Sequence, residues 1–121
     1  MTVIFLGVAG GVGAAARFVV DGLVRAKART ALPVGTILIN VSGSFLLGLL
    51  AGATLRGAPS GLLAIAGTGF LGGYTTFSTA SVETIRLVQA KRLGTAALNA
   101  LGTLGAAMLA AWAGFLLAAV L

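Results

Sequence analysis

Between Arg56 and Glu83 the chain carries no charged side chain, and the middle of that run reads Gly72-Gly73-Tyr74-Thr75-Thr76-Phe77-Ser78-Thr79. The first property calls for a bilayer crossing, because roughly 20 apolar residues in a helix span the hydrocarbon core. The second forbids an ordinary one. Two glycines followed by hydroxyl residues are poor material for a lipid-facing helix. Each backbone group freed there costs several kcal/mol unless protein, water or an ion satisfies it. Interrupted membrane helices of this kind surround ion and substrate sites.

The rest of the chain has the same character. It is 59% hydrophobic and 8% charged, with a mean hydropathy of +1.12, where a soluble domain would carry about a quarter charged residues. The 121 residues hold a single all-α membrane domain and leave no room for a soluble one. Four spans are expected, at about 3–24, 34–54, 61–88 and 95–120, the third breaking around Gly72 to Thr76 and resuming as a shorter half-helix. Ala14-Ala15-Ala16 resembles a small-residue cleavage site, but no Lys or Arg precedes the apolar run. The first span is therefore expected to be retained.

Cysteine and histidine are absent, which removes disulfides, thiol chemistry and the commonest metal ligands. The net charge of +6 sits between apolar spans and is not interleaved with aromatics. It therefore reads as topology control and not as nucleic-acid binding. No nucleophile–base pair or metal-ligand set can be assembled, so no enzyme is expected.

Gly7 and Gly11, Gly48 and Gly52, and Gly69 and Gly73 have the four-residue spacing of small-residue stripes. Such stripes allow close helix approach in a bundle or oligomer. Asn40 and Ser44 continue the Gly48–Gly52 face of the second helix. The Asn40 amide is either glue between helices or a donor lining a polar track. Arg17 lies well inside the first span. It either snorkels toward Asp21, pairing at i, i+4, or forms an anion-attracting vestibule.

Thr75, Thr76, Ser78, Thr79, Ser81 and Thr84 crowd the second half of the third span. Those just after the break would cap the new half-helix, whose N-terminal dipole attracts an anion. On the other side, unwound carbonyls of Gly72 to Thr75 would suit a hard cation. Glu83 is expected near the interface or hydrogen-bonded to those hydroxyls. Phe77 is either packing or an edge-on ring, whose partial positive charge helps to replace the hydration shell of a small anion.

Three motifs in order resemble the Fluc (CrcB-type) fluoride channel family. The first span has Gly10-Gly11-Val12-Gly13-Ala14-Ala15-Ala16-Arg17-Phe18, similar to GGxxGAxxR. The second has Pro33-Val34-Gly35-Thr36-Ile37-Leu38-Ile39-Asn40-Val41-Ser42-Gly43-Ser44-Phe45, like PxGTLxVNxxGSF. The third has Gly69-Phe70-Leu71-Gly72-Gly73-Tyr74-Thr75-Thr76-Phe77-Ser78-Thr79, close to GFxGGxTTFSTF. The resemblance implies an antiparallel dimer with two pores, a structural sodium ion on the dimer axis, and passive, selective export of fluoride. Gly72 and Thr75 would give backbone carbonyls to the sodium. Asn40 would lie on the polar track with Ser78 and Ser81, Phe77 would be a pore phenylalanine, and Thr103 would extend the hydroxyl track. Arg17 would match the family's buried arginine near the vestibule. One departure stands out: the family's second pore phenylalanine falls at Ala80.

The physics agrees with that resemblance. A small, strongly hydrated anion needs fixed donors in place of water, bound weakly enough to leave. A negative-inside potential expels an anion at ~2.3 kcal/mol per 100 mV, so export needs no ATP site. A small four-span multidrug exporter is the alternative, but it needs an isolated carboxylate in mid-span. A non-conducting assembly protein would leave the hydroxyl-rich break without a purpose.

Charge also bears on orientation. Arg25, Lys27 and Arg29 fall between spans one and two, and Arg86, Lys91 and Arg92 at the end of span three; Arg56 stands alone on the other side. The positive-inside rule places both termini outside a bacterial plasma or inner membrane. So strong a bias predicts one orientation. An antiparallel dimer would then need an oppositely biased sibling subunit, with a homodimer as the alternative.

Overall fold

The computed structural model describes every residue except 29 and 31, and it is helical throughout apart from the turns and the break. Arg29, counted above in the first basic connection, lies outside the described residues. Helix α1 spans Thr2–Lys27 and α2 spans Val34–Leu55. Helix α3 covers residues 60–74, α4 is Phe77–Gln89 and α5 is Leu93–Val120. Three helices, α1, α2 and α5, are long and apolar enough to cross a membrane. The third crossing is shared between α3 and α4, and neither half spans alone.

Helix α2 packs along α5, and α1 packs along α3. The contacts are made by glycine. A Cβ on Gly48 would fall on the Ala111 carbonyl, one on Gly114 on the Phe45 carbonyl, one on Gly13 on the Phe70 carbonyl and one on Gly73 on the Gly10 carbonyl. Lipid is as apolar as leucine, so close backbone packing rather than hydrophobic burial holds such helices together. Large apolar side chains point outward accordingly: Phe18, Leu104 and Trp112 are exposed, and Ile39 is the largest side chain that is fully buried. Two of the expected stripes, Gly48–Gly52 and Gly69–Gly73, lie in these contacts. Gly7 and Gly11 do not, and a Cβ on either would meet nothing within 4 Å.

Two features were not legible in the pattern. Residues Leu63–Leu71 of α3 and Leu98–Gly102 of α5 are wound as π-helix. The Gly72 amide reaches back to the Gly67 carbonyl across the wider turn. Such turns frequently mark functional segments, and these two flank the cavity described below.

Helices α2 and α4 end in one motif, with different residues at its left-handed position. Helix α2 stops in a Schellman turn, Ala58 N–H to Ala53 O at 3.0 Å and Gly57 N–H to Thr54 O at 3.1 Å, with Gly57 at φ +107°. Helix α4 stops in the same motif, Arg92 N–H to Leu87 O at 2.9 Å and Lys91 N–H to Val88 O at 3.0 Å. There the left-handed position is Lys91 at φ 61°, where glycine would be the unstrained choice.

Candidate functional site

The break is narrower than the glycines suggested. Gly72–Tyr74 still belongs to the helix; only Thr75 (φ −78°, ψ 159°) and Thr76 (φ −150°, ψ 119°) are extended. The glycines serve helix packing, with Gly73 against α1, while Gly72 is exposed and meets nothing in its own chain. Extending two residues frees the backbone groups on both sides. Asn40 on α2 takes up two of them. Its Nδ2 donates to the Thr76 carbonyl at 2.9 Å, and its Oδ1 accepts from the Thr76 N–H at 2.8 Å. The amide thus pairs with the broken strand much as a neighbouring peptide would. The choice between glue and polar track dissolves, because Asn40 clamps the break and also lines the cavity beside it.

Thr75 and Thr76 each finish one half-helix. The Thr75 hydroxyl and amide both donate to the Leu71 carbonyl, each at 2.9 Å. The Thr76 hydroxyl accepts from the Thr79 amide at 3.2 Å and caps α4 as an N-cap should. The carbonyls of Gly72 to Thr75 accept no hydrogen bond from another element among the described residues. The last carbonyls of α3 therefore remain oxygen donors at a negative dipole end.

Between α2, α3, α4 and the first half of α5 lies a cavity of about 820 Å³. Its polar lining comes from Asn40, Ser44, Thr68, Thr75, Thr76, Ser81, Thr84, Asn99 and Thr103, and no charged residue contributes. Phe77, first residue of α4, and Ala80 share its wall, and Phe77 is 87% exposed within the single chain. Among the hydroxyls, those of Ser81 and Thr84 donate to carbonyls four residues back at 2.9 Å each. Their protons are thereby engaged, and the Thr84 oxygen also accepts from Asn99. The Thr103 hydroxyl is buried and has no partner among the described residues. Ser78 does not line the cavity; its hydroxyl lies 3.5 Å from that of Thr76.

Asn99 and Thr36 were missed. Asn99, 3% exposed, donates to the Thr84 hydroxyl at 2.8 Å and ties α5 to α4. The signal was available, since it is the one amide in an otherwise apolar fourth span. Thr36, 3% exposed, donates to Glu83 Oε1 at 2.6 Å. Glu83 thus does bond a hydroxyl, though one on α2 and not one of its own half-helix. That pairing joins segments 47 residues apart and has no local trace in the sequence.

Of the two readings of Arg17, the pair with Asp21 is not formed. Asp21 instead meets Arg25, Nε to Oδ2 at 2.9 Å, and Arg25 also approaches Glu83 at 3.9 Å. Acid N-terminal to base is the better order for an i, i+4 pair, and Arg25 is nearer water. Gly35 makes room for the carboxylate, since a Cβ there would strike Asp21 Oδ1. Arg17 is half-buried and makes no ion pair or hydrogen bond among the described residues.

Comparison with known proteins adds an independent line. Residues 4–115 match the family model described as CrcB-like protein, Camphor Resistance (CrcB). The chain is 49% identical to the Fluoride-specific ion channel FluC 1 of Leifsonia xyli subsp. xyli, over 94% of this chain and 87% of that one. It is 44% identical to the Fluoride-specific ion channel FluC 2 of Cutibacterium acnes, over 97% of both chains. Its identity to the Fluoride-specific ion channel FluC of Geobacter sulfurreducens is 42%, over 97% of this chain and 96% of the other.

Proposed function

The chain belongs to the CrcB-like family, and from that premise we propose that it is a membrane channel for fluoride. It is not an enzyme. The observation that carries the reading is the cavity at the break, ringed by amide and hydroxyl groups with Phe77 on its wall and no fixed charge in its lining. A lysine or arginine there would trap a small anion. Donors not engaged among the described residues, namely the second amide protons of Asn40 and Asn99 and the hydroxyls of Ser44, Thr68 and Thr103, act with a ring edge to replace part of its hydration and still let it leave.

The cavity wall is incomplete in one subunit. Phe77 is 87% exposed beside a polar cavity, a placement that suits coverage by a second chain better than by lipid. The reading is therefore an antiparallel dimer with a pathway on each side. Direction follows from the membrane potential, which drives the anion out of the cell passively.

A structural sodium ion fits the residues present. The carbonyls at the end of α3, among them Gly72 and Thr75, are hard oxygen donors without hydrogen-bond partners in other elements among the described residues, as such a cation prefers. Its part would be to hold the two breaks together, without being transported.

Orientation is supported by the fold. Ala28, Thr30 and Leu32 of the first connection share a pocket with Ala90 and Arg92 of the other, so the two basic connections lie at one end. Arg56 lies at the opposite end, bonded to the Ala119 carbonyl. The basic end is assigned to the cytoplasm, and the partner to an oppositely inserted sibling that also supplies the aromatic missing at Ala80.

Fluoride efflux from liposomes tests the whole reading. Vesicles holding this chain together with an oppositely biased sibling should release fluoride and retain chloride. Release that collapses with a protonophore would favour the exporter, and none at all would remove the channel.

A further inference from the structure

The basic end of the molecule holds a second concavity, of about 390 Å³, between the last turns of α1 and α4 and the start of α2. It is built differently from the ion cavity. Asp21, Arg25 and Glu83 face it: Asp21 pairs with Arg25, and Glu83 accepts from Thr36 with Arg25 at 3.9 Å, so the lining sets three guanidinium groups, with Arg86 and Arg92, against two carboxylates. Arg86 and Arg92 also line it, both exposed, and neither makes an ion pair or a hydrogen bond through its side chain among the described residues. Arg92 is brought back over the last turn of α4 by the Schellman turn at Lys91, so the lining takes Arg86, Leu87, Ala90 and Arg92 from one stretch of chain.

We propose that this pocket binds the phosphate headgroup of an anionic phospholipid through Arg86 and Arg92. Two guanidinium forks over one concavity match phosphate oxygens in a way that lysine ammonium groups do not. The pocket lies at one end of the bundle, and its lining includes Val24 and Val34, both partly exposed, against which acyl chains can lie. Basic pockets between transmembrane helices are recognised hosts for anionic headgroups on the cytoplasmic side. Binding there would bridge α1 and α4 and add to the hold of the basic end on its leaflet.

Native mass spectrometry of the purified channel in detergent tests the site, with phosphatidylglycerol, phosphatidylcholine and inorganic phosphate as separate probes. One phosphatidylglycerol per such pocket is expected, retained about fivefold better than phosphatidylcholine, with inorganic phosphate bound weakly and unable to displace it at millimolar concentration. Arg86→Gln with Arg92→Gln should abolish the preference, while Lys27→Gln with Arg56→Gln, which removes the same charge from residues that do not line the pocket, should keep it. Should the glutamine pair fail to fold, Arg86→Lys with Arg92→Lys keeps the charge and should weaken the preference about threefold through loss of the forks. Equal loss in the Arg86/Arg92 and Lys27/Arg56 glutamine pairs, or no loss in the Arg→Lys pair, would mean that diffuse charge attracts the lipid, and the site would be withdrawn. Displacement by millimolar phosphate would assign the pocket to a free anion instead.

Discussion

At the scale of single residues, Asn40 carries most of the argument. It fills the donor and the acceptor that the break at Thr76 leaves open. Asn40→Ala removes both partners at once. Each orphaned backbone group costs about 1–3 kcal/mol, so thermal unfolding in detergent should show a loss of about 2–6 kcal/mol along with the loss of flux. Asn40→Asp keeps an acceptor for the Thr76 amide but sets a carboxylate oxygen against the Thr76 carbonyl and a negative charge beside the path; flux should fall even where the protein stays folded. Phe77 should behave in the opposite way. It is 87% exposed within the chain, so Phe77→Ile should leave the subunit's stability within about 0.5 kcal/mol while fluoride throughput falls sharply, since the quadrupole is gone. Parallel loss of stability and flux would return Phe77 to a packing role. Asn40 was legible in the sequence as a lone amide in an apolar run, whereas Phe77 stood out only as a ring within a hydroxyl cluster and through the motif it shares with the family. Thr36 was not, because what makes it notable is Glu83, brought near only by the fold.

At the scale of elements, the question is what the glycines do. The sequence shows them in excess but cannot say which face meets a neighbour, since a helix rich in glycine on several faces presents several stripes. The fold chooses Gly13, Gly48, Gly73 and Gly114 for backbone-to-backbone contact and leaves Gly7, Gly11 and Gly72 open within the chain. Gly48→Val and Gly114→Val should each destabilise the α2–α5 pair by about 1–3 kcal/mol, as overpacking does. Gly7→Ala should be nearly silent in unfolding of the subunit. Gly72→Val separates fold from assembly. Nothing in its own chain lies within 4 Å of a Cβ at Gly72, so the subunit should fold normally, and any lost flux should come with a lost dimer on size exclusion. Thr75→Ala removes a hydroxyl that bonds only to the Leu71 carbonyl and should be tolerated better. The four helices were legible from apolar length and the break from its residue types. The π-helical stretches were not, because a one-residue slip in hydrogen bonding leaves no mark in composition.

At the scale of the whole molecule, charge distribution is the remaining clue, and it concerns how copies insert. Among the described residues Arg25, Lys27, Arg86, Lys91 and Arg92 mark one end and Arg56 the other; the fold brings the two connections to one pocket. A subunit meant to form an antiparallel homodimer would need near-balanced ends, so that half of its copies insert each way. On the proposed reading this bias commits nearly every copy to one orientation, and an antiparallel partner would come from a chain biased the other way. The absence of native cysteine makes the test direct. Thr30→Cys, exposed in the first connection, should react with an impermeant thiol reagent only after the membrane is opened, while Ser60→Cys, exposed at the start of α3, should react in intact cells. Comparable labelling of each from both sides would establish dual insertion, and the homodimer would then stand with an alanine at position 80 in both of its pores.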